Sequence, residues 1–309
     1  SGVARKLHAF VDLDGNRYIA IGTDKSLLLY FEGEIYDITP IRQSYGSSTI
    51  ATTNGSATCT VTSSSPHGLA VGDIVQLDSV TLPGGTGYSN SDFEDKNFQV
   101  ITVPSTTTFT ITQSSNASGS ASGGSLTVKA FERVGPAEQS YGYGWGLETW
   151  GTGGFGSAAS ASNITLEPGL WSLDNFGEVL IATIANGKTF TWNAGAASPF
   201  TNRASTTTTN FVTSANPTST RLTLISPTTR HLIHMGTETT IGTSSTRDNM
   251  FIRFSDAEDI NSYGTSSINT AGSQRLQDGT KIIGALKAKE TILIWTDNAL
   301  YTMKFVGAP

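Results

Sequence analysis

One short pattern recurs along the chain and limits the folds open to it. Each copy is an apolar run of strand length, a threonine followed by polar turn residues, and a further strand with aromatic residues. The copies centre on Thr23, Thr183, Thr237 and Thr296. A repeat of about 50 residues built from short antiparallel strands is typical of β-propellers. We therefore predict an all-β fold of β-propeller-like antiparallel sheets.

The first copy belongs to a meander of short strands over residues 7–43. Its apolar runs are separated by turn residues such as Asp14-Gly15-Asn16 and Asp24-Lys25-Ser26, which is the pattern of antiparallel hairpins. The whole chain accounts for about four such blades. It stops directly after an apolar run, so we expect it to be a fragment of a longer chain, with sequence missing at both ends.

Residues 44–128 differ in character, because charge is sparse and Ser, Thr and Gly dominate. Runs of strand length persist there, and a set of this size fits a small β-barrel or sandwich. The runs are Ala57–Val61, Ile74–Leu77, Asn97–Val103, Thr108–Thr112 and Ser125–Val128. We predict an autonomous β-barrel module at 44–128, inserted into a propeller-like domain formed by 1–43 and 129–309.

A segment rich in glycine and aromatic residues follows at 135–162. It has neither helical nor strand periodicity, and it is either a linker or an ordered loop packed through its rings. We prefer the ordered loop, because large aromatic side chains are costly to leave in water. The candidate interface residues are Tyr141, Tyr143, Trp145, Trp150 and Phe155.

Composition excludes several classes of protein. Only 14% of the residues are charged, against about 25% in typical domains, and this Gly-rich and Thr-rich chain suits strands and turns rather than helical bundles. The net charge of −6 lacks the basic footprint of a sequence-specific nucleic-acid binder. The single cysteine, Cys59, excludes a disulfide framework. We expect no signal peptide and no membrane-spanning segment.

The histidines do not form a metal site in this reading. His231 and His234 are three residues apart in a predicted strand, so their side chains point to opposite faces. His67 lies in a turn, where we expect it to make a local hydrogen bond. Asp12-Leu13-Asp14-Gly15-Asn16 resembles half of a calcium loop but lacks the acidic residue and helices of an EF-hand. We interpret it as a hairpin turn, with a weak cation site as the alternative.

The densest acidic cluster is formed by Asp256, Glu258 and Asp259. Two carboxylates can perform acid–base chemistry on glycosides. Three acids on one turn without a nucleophile motif are more simply solvated or structural, which is the interpretation we prefer. We predict no catalytic, cofactor-binding or metal-binding residues.

Several sequence segments together resemble tail structural proteins of tailed bacteriophages, and most of all the nozzle proteins of short-tailed phages. The inserted segment, with Pro66–Val75 and Asn97–Val100, is similar to a small β-barrel also found in ubiquitin-activating enzymes. The segments that resemble phage tail proteins lie outside this inserted segment and are Leu27–Arg42, Tyr143–Trp150, Leu170–Glu178, Met250–Asp259 and Ile292–Pro309. Neither resemblance supplies a catalytic residue.

The phage resemblance implies a virion protein without enzymatic activity or cofactor. It implies a homo-oligomeric ring, a hexamer, bound to other tail proteins such as an adaptor. Ejected DNA would pass through that ring without sequence-specific binding, and an acidic wall would keep phosphates from adhering. Two alternatives stay open: a module that binds host glycans through Trp145 and Trp150, and a glycan-degrading enzyme that uses Asp256 and Glu258.

Overall fold

The computed structural model describes residues 2–135, 167–206 and 216–307. It divides into two compact units, Ser1–Ile38 with Val134–Pro309 (unit 1) and Thr39–Arg133 (unit 2). The fold is all-β, as predicted. Helical segments among the described residues are short 3-10 turns at Asn90–Asp92, Pro199–Thr201 and Ser244–Thr246.

Unit 1, within the described residues, consists of four antiparallel meanders in chain order. Sheet 1 contains β1 (Ala4–Val11), β2 (Arg17–Thr23), β3 (Leu27–Phe31) and β4 (Glu34–Asp37). Strands β5 to β10 follow in the chain and belong to unit 2. Sheet 2 contains β11 (Trp171–Phe176), β12 (Val179–Ile184) and β13 (Thr189–Asn193). Sheet 3 contains β14 (Thr220–Ile225), β15 (Leu232–Thr237), β16 (Phe251–Phe254) and β17 (Gly272–Arg275). Sheet 4 contains β18 (Ile282–Lys287), β19 (Ile292–Thr296) and β20 (Leu300–Met303).

The four repeated threonines lie at or near the end of the second strand of their sheets, and all are buried. At Thr23 and Thr296 the hydroxyl oxygen accepts backbone N–H bonds from the following turn, 2.8 Å from Ser26 N and 2.8 Å from Ala299 N. Such a bond closes a hairpin turn locally. Thr183 and Thr237 instead bond across strands, to Thr223 and to the carbonyl of Ser219.

Neighbouring sheets of unit 1 pack face to face through apolar side chains. Strand β12 shows why, because all of its residues are buried and alternate side chains point to opposite faces. Leu180 and Ala182 join the core shared with sheet 1, whereas Val179 and Ile181 join the core shared with sheet 3. A further apolar cluster joins sheets 3 and 4. Sheets stacked in chain order are the propeller-like arrangement that the repeat predicted.

Unit 2 is a curled half-barrel sheet with the strand order β8-β7-β10-β5-β6-β9. Its strands are β5 (Ile41–Thr52), β6 (Thr58–Thr62), β7 (Ile74–Thr81), β8 (Lys96–Gln99), β9 (Thr108–Thr112) and β10 (Ala121–Phe131). The sequence interpretation missed β5, whose Ser-rich and Gly-rich middle lacks an apolar run. The unit extends beyond 44–128 because β5 begins at Ile41 and β10 ends at Phe131. Whether it folds alone stays a prediction.

Candidate functional site

The first strands of the four sheets meet around an open cleft in unit 1. Strand β11 lies beside β1 and β14, and β14 lies beside β18. Side chains and backbone of all four strands line the cleft, whose volume is about 490 Å³. We call it the axial cleft. It is the place in unit 1 where one ligand or partner could touch every sheet at once.

Asp174 of β11 joins the four inner strands of unit 1. Its carboxylate accepts hydrogen bonds from the backbone N–H of Ile225, at 2.7 Å, and from the Lys287 ammonium, at 2.6 Å. The His8 ring of β1 lies 3.9 Å away and also bonds to Asn175, at 2.9 Å. Asp174 is buried, and a buried polar group is costly unless it has such hydrogen-bonded partners.

A second ion-pair group lies at the same cleft. Glu167 accepts bonds from Lys281, at 2.7 Å, and from Arg221, at 2.6 Å. The Lys281 bond, followed by the Arg221 bond, holds the pKa of Glu167 below its ordinary value. Glu167 therefore stays anionic at neutral pH and connects β14 to the segment preceding β18.

Neutral contacts complete the junction between the inner strands. The indole N–H of Trp171 donates to the carbonyl of Thr23 at 2.8 Å, and Gly22 lies directly under that ring. A Cβ at Gly22 would come within 2.5 Å of Trp171, so a larger residue cannot enter without displacing the indole. Ser172 donates to the carbonyl of Thr223 at 2.8 Å. These contacts fix the arrangement of sheets 1, 2 and 3 around the cleft.

Sequence reasoning did not identify the axial cleft. The available signal was Asp174 itself, an acidic residue next to Leu173 in a strand that begins with Trp171 and ends with Phe176. A charged residue inside a buried strand requires a partner. The partner, Lys287, is more than one hundred residues away in the chain, so no local pattern could have named it.

The predicted acidic cluster is a turn in which Asp256 organises the backbone. One Asp256 oxygen accepts the hydroxyl and the N–H of Thr270, at 2.6 and 2.8 Å, and the N–H of Ala257, at 2.9 Å. The Thr270 bonds lower the pKa of Asp256. Because the Thr270 hydroxyl donates to Asp256, it accepts from His231 Nε2 at 3.0 Å.

The other two acids of that turn have partners close by. Glu258 is exposed and lies 3.2 Å from Arg230. Asp259 accepts the N–H of Asn261 at 2.8 Å. That the three acids are not catalytic stays a prediction.

The histidines that the sequence singled out make structural hydrogen bonds. His67 Nδ1 accepts the N–H of Leu69 at 2.9 Å, which is the local bond predicted for it. His234 is fully enclosed and bonds to Thr220, at 3.0 Å, and to the hydroxyl of Tyr263, at 2.9 Å. Burial lowers the pKa of His234 to about 3, so this ring is neutral near pH 7.

Asp12 holds the hairpin turn between β1 and β2, as predicted. It accepts the N–H groups of Asp14 and Asn16, at 3.0 and 2.8 Å, and the hydroxyl of Tyr18 at 3.0 Å. Several of the Asp12 lone pairs are therefore already used within the turn.

A second cleft of about 430 Å³ lies between sheets 3 and 4. Three rings surround it: Phe305 is 5.5 Å and Phe254 is 6.1 Å from His231, measured between ring centroids. Thr228 and Ser266 contribute hydroxyl groups to the lining. We call it the aromatic cleft. Aromatic surfaces beside hydroxyl groups are suited to the faces and edges of sugars.

One group of acids among the described residues has donor atoms close enough for a metal ion: Asp78, Glu94 and Asp95 of unit 2. Asp78 already forms an ion pair with Lys129, and Glu94 accepts the N–H groups of Ser79 and Val80. Asp78 and Glu94 thus have partners within the protein.

The candidate interface residues Tyr141, Tyr143, Trp145, Trp150 and Phe155 lie outside the described residues. Their proposed role stays a prediction. In the part of the chain that the structure describes, no helix has the length and apolar character to span a bilayer.

Comparison with known proteins gives little to add to this geometry. No family model matches the chain, and no curated protein matches it. Among solved structures, the chain is similar to one titled phage phi92 endosialidase, with 15% sequence identity and a TM-score of 0.25. The similarity covers 94% of this chain but 40% of that chain, so this chain spans less than half the length of its neighbour. A similarity of this size does not establish a shared fold or activity.

Proposed function

We propose that the chain is a structural protein of a bacteriophage tail and forms part of a homo-oligomeric ring, or nozzle, through which DNA is ejected. The observation that carries the proposal is the position in the fold of the sequence segments that resemble phage tail proteins. Leu27–Arg42 covers β3 and β4, Leu170–Glu178 covers β11, Met250–Asp259 covers β16, and Ile292–Pro309 covers β19 and β20. Each of the four described sheets of unit 1 thus contains one of these segments. This is expected when the resemblance to phage tail proteins reflects the architecture rather than a catalytic site.

Charge supports passage of DNA without adhesion. The chain has a net charge of −6 and only 19 lysines and arginines, so few cations are present to hold phosphates. In the axial cleft, Arg221 and Lys287 are already paired with carboxylates. A DNA-contacting surface would therefore be found away from those ion pairs.

Localisation tests the proposal first. Antibodies raised against the purified chain should label the tails of intact phage particles in electron micrographs. Labelling of the capsid alone, or labelling restricted to lysate protein outside particles, would contradict a tail role.

The predicted contact loop offers a second test. Trp145→Ala combined with Trp150→Ala should weaken ring assembly with the tail partner, because buried aromatic anchors dominate interfaces. Light scattering and electron microscopy would measure the yield of rings. Assembly of the double variant at wild-type yield would show that the loop is a passive linker.

We also propose that the protein is not an enzyme. The support is the turn geometry at Asp256, whose oxygen is occupied by Thr270 and Ala257. Digestion of host polysaccharides by the purified chain should produce no new reducing ends. A reproducible cleavage activity that disappears in Asp256→Ala would establish the enzymatic alternative.

Adhesion to a host glycan is the second candidate, and the aromatic cleft is the observation that favours it. Phe254 and Phe305 would contact the apolar face of a sugar, and the hydroxyls of Thr228 and Ser266 would reach its edge. A glycan array probed with wild type and Phe305→Ala separates the two candidates. Binding that is lost in Phe305→Ala supports adhesion, whereas no binding, or binding that Phe305→Ala leaves unchanged, contradicts adhesion through the aromatic cleft.

A further inference from the structure

The axial cleft exposes large aliphatic side chains that a soluble surface normally covers. Leu7, Leu170, Ile283 and Leu286 all line it, with 61%, 47%, 48% and 58% of their surface exposed. Contiguous exposed aliphatic groups around a concave surface mark an interaction site. The cleft is therefore built to receive an apolar group.

Charge narrows the choice of that group. Each lining carboxylate has a cationic partner, since Glu167 bonds to Arg221 and Asp174 bonds to Lys287. Lys6 of β1 lines the same cleft and is exposed. The lining thus contains more cations than carboxylates, and it favours an apolar group that is flanked by negative charge.

The opposite chemistry is present on sheet 1. In a four-stranded meander, the β1–β2 and β3–β4 turns lie at the same end of the sheet. At this end Leu13 and Ile35 are 84% and 60% exposed. Asp14, Glu32 and Glu34 are exposed at the same end and outnumber the exposed Arg17 there. We call this end of sheet 1 the acidic tip.

The acidic tip cannot enter the axial cleft of its own chain. Leu13 lies two residues after the end of β1 at Val11, whereas Lys6 and Leu7 lie within that same strand. A strand is extended by about 3.3 Å per residue, and β1 is fixed by its pairing with β2, so the hairpin cannot fold back onto its own middle. The complementary surfaces can meet only between two copies.

We propose that the acidic tip of one copy docks in the axial cleft of the next copy, head to tail. The inference rests on the proposed ring, because different patches meeting in this way generate a closed ring or a filament. Leu13 and Ile35 would cover the exposed aliphatic side chains, and the carboxylates would face Lys6.

Charge reversal tests this contact. One variant carries Lys6→Glu, and the other carries Asp14→Lys with Glu34→Lys. Each alone should weaken self-association by at least about tenfold, since like charges then meet in every contact. An equimolar mixture should recover assembly, because each contact between the two variants again pairs opposite charges. Sedimentation velocity over a range of protein concentrations measures all three samples.

The control is Lys25→Glu, which reverses an exposed lysine at the opposite end of sheet 1 and should assemble like wild type. Circular dichroism verifies that every variant is folded. If wild type forms rings and the reversed variants form them equally well, the docking contact is wrong and the ring proposal stands. If folded single variants lose assembly and their mixture fails to recover it, the contact is also wrong. If wild type stays monomeric at all concentrations, both alone and with its tail partner, both proposals fail.

Discussion

The two units of the protein differ in the contacts that stabilise each of them internally. Unit 2 has one continuous apolar cluster, in which residues such as Phe109, Ile111 and Val61 are completely buried. Unit 1 divides its apolar residues among several clusters between successive sheets. The inner strands of those sheets contribute to these clusters and are joined in addition through Asp174 and Glu167.

This difference teaches that one all-β chain can derive its stability from two kinds of contact. In unit 2, a lost side chain leaves a cavity in a packed core. In unit 1, a lost carboxylate also leaves cations and a buried N–H group without their partner. The units should therefore respond differently to charge, volume and pH.

Removing the central carboxylate should have a large effect. Asp174→Ala leaves the N–H of Ile225 without its acceptor, which costs about 1–3 kcal/mol, whereas the exposed Lys287 ammonium can turn to water. Denaturant unfolding should show this loss in the transition of unit 1, with the transition of unit 2 unchanged. Asp14→Ala, at an exposed position, is the matched control. Equal loss in both transitions would mean that the units do not unfold separately.

A volume change in unit 2 should have an effect of similar size. Ile111 is completely buried, so Ile111→Ala should cost about 2–4 kcal/mol through lost burial and the remaining cavity. Ile111→Val should cost about 1 kcal/mol. Calorimetry of both variants measures the ratio of the two losses in unfolding free energy. A shift in the unit 1 transition would contradict the separation of the two cores.

Lowering the pH should reduce the free energy of unfolding of unit 1 gradually. The pKa of His234 is lowered to about 3 by burial, whereas an unfolded histidine has a pKa of about 6.5. Below pH 6.5 the unfolded state binds a proton that the folded state excludes. The free energy of unfolding should therefore fall with decreasing pH, by up to about 1.4 kcal/mol per pH unit, between 6.5 and 3.

Urea unfolding at pH 7 and pH 5 tests that slope. Wild-type unit 1 should be less stable at pH 5, and His234→Gln should reduce the difference. A slope that is unchanged in His234→Gln would place the titrating group elsewhere. Burial also lowers the pKa of His231, so the variant is expected to retain part of the slope.

Local patterns explain how much of the fold was predictable. Turn residues such as Asp12 and Thr23 act on atoms a few positions away, and the hairpins they close were predicted from the sequence. Strand β5 was missed because its pairing with β10, rather than its own Ser-rich sequence, makes it a strand. Tertiary pairing overrides local propensity in sheets.

The axial cleft was not predictable for a related reason. His8, Asp174 and Lys287 come from three different sheets, and only the stacking of those sheets brings them together. The negative net charge suggested acidic surfaces, and the exposed acids of the acidic tip agree with it. The cations at the cleft appear only in three dimensions.

The mass of the assembled particle tests the central claim most directly. Native mass spectrometry of the full-length protein, mixed with its tail partner, should give a closed ring that contains a fixed number of copies, six by the family resemblance. A protein that remains a monomer or forms a trimer under the same conditions would contradict the ring, and adhesion would then become the better account.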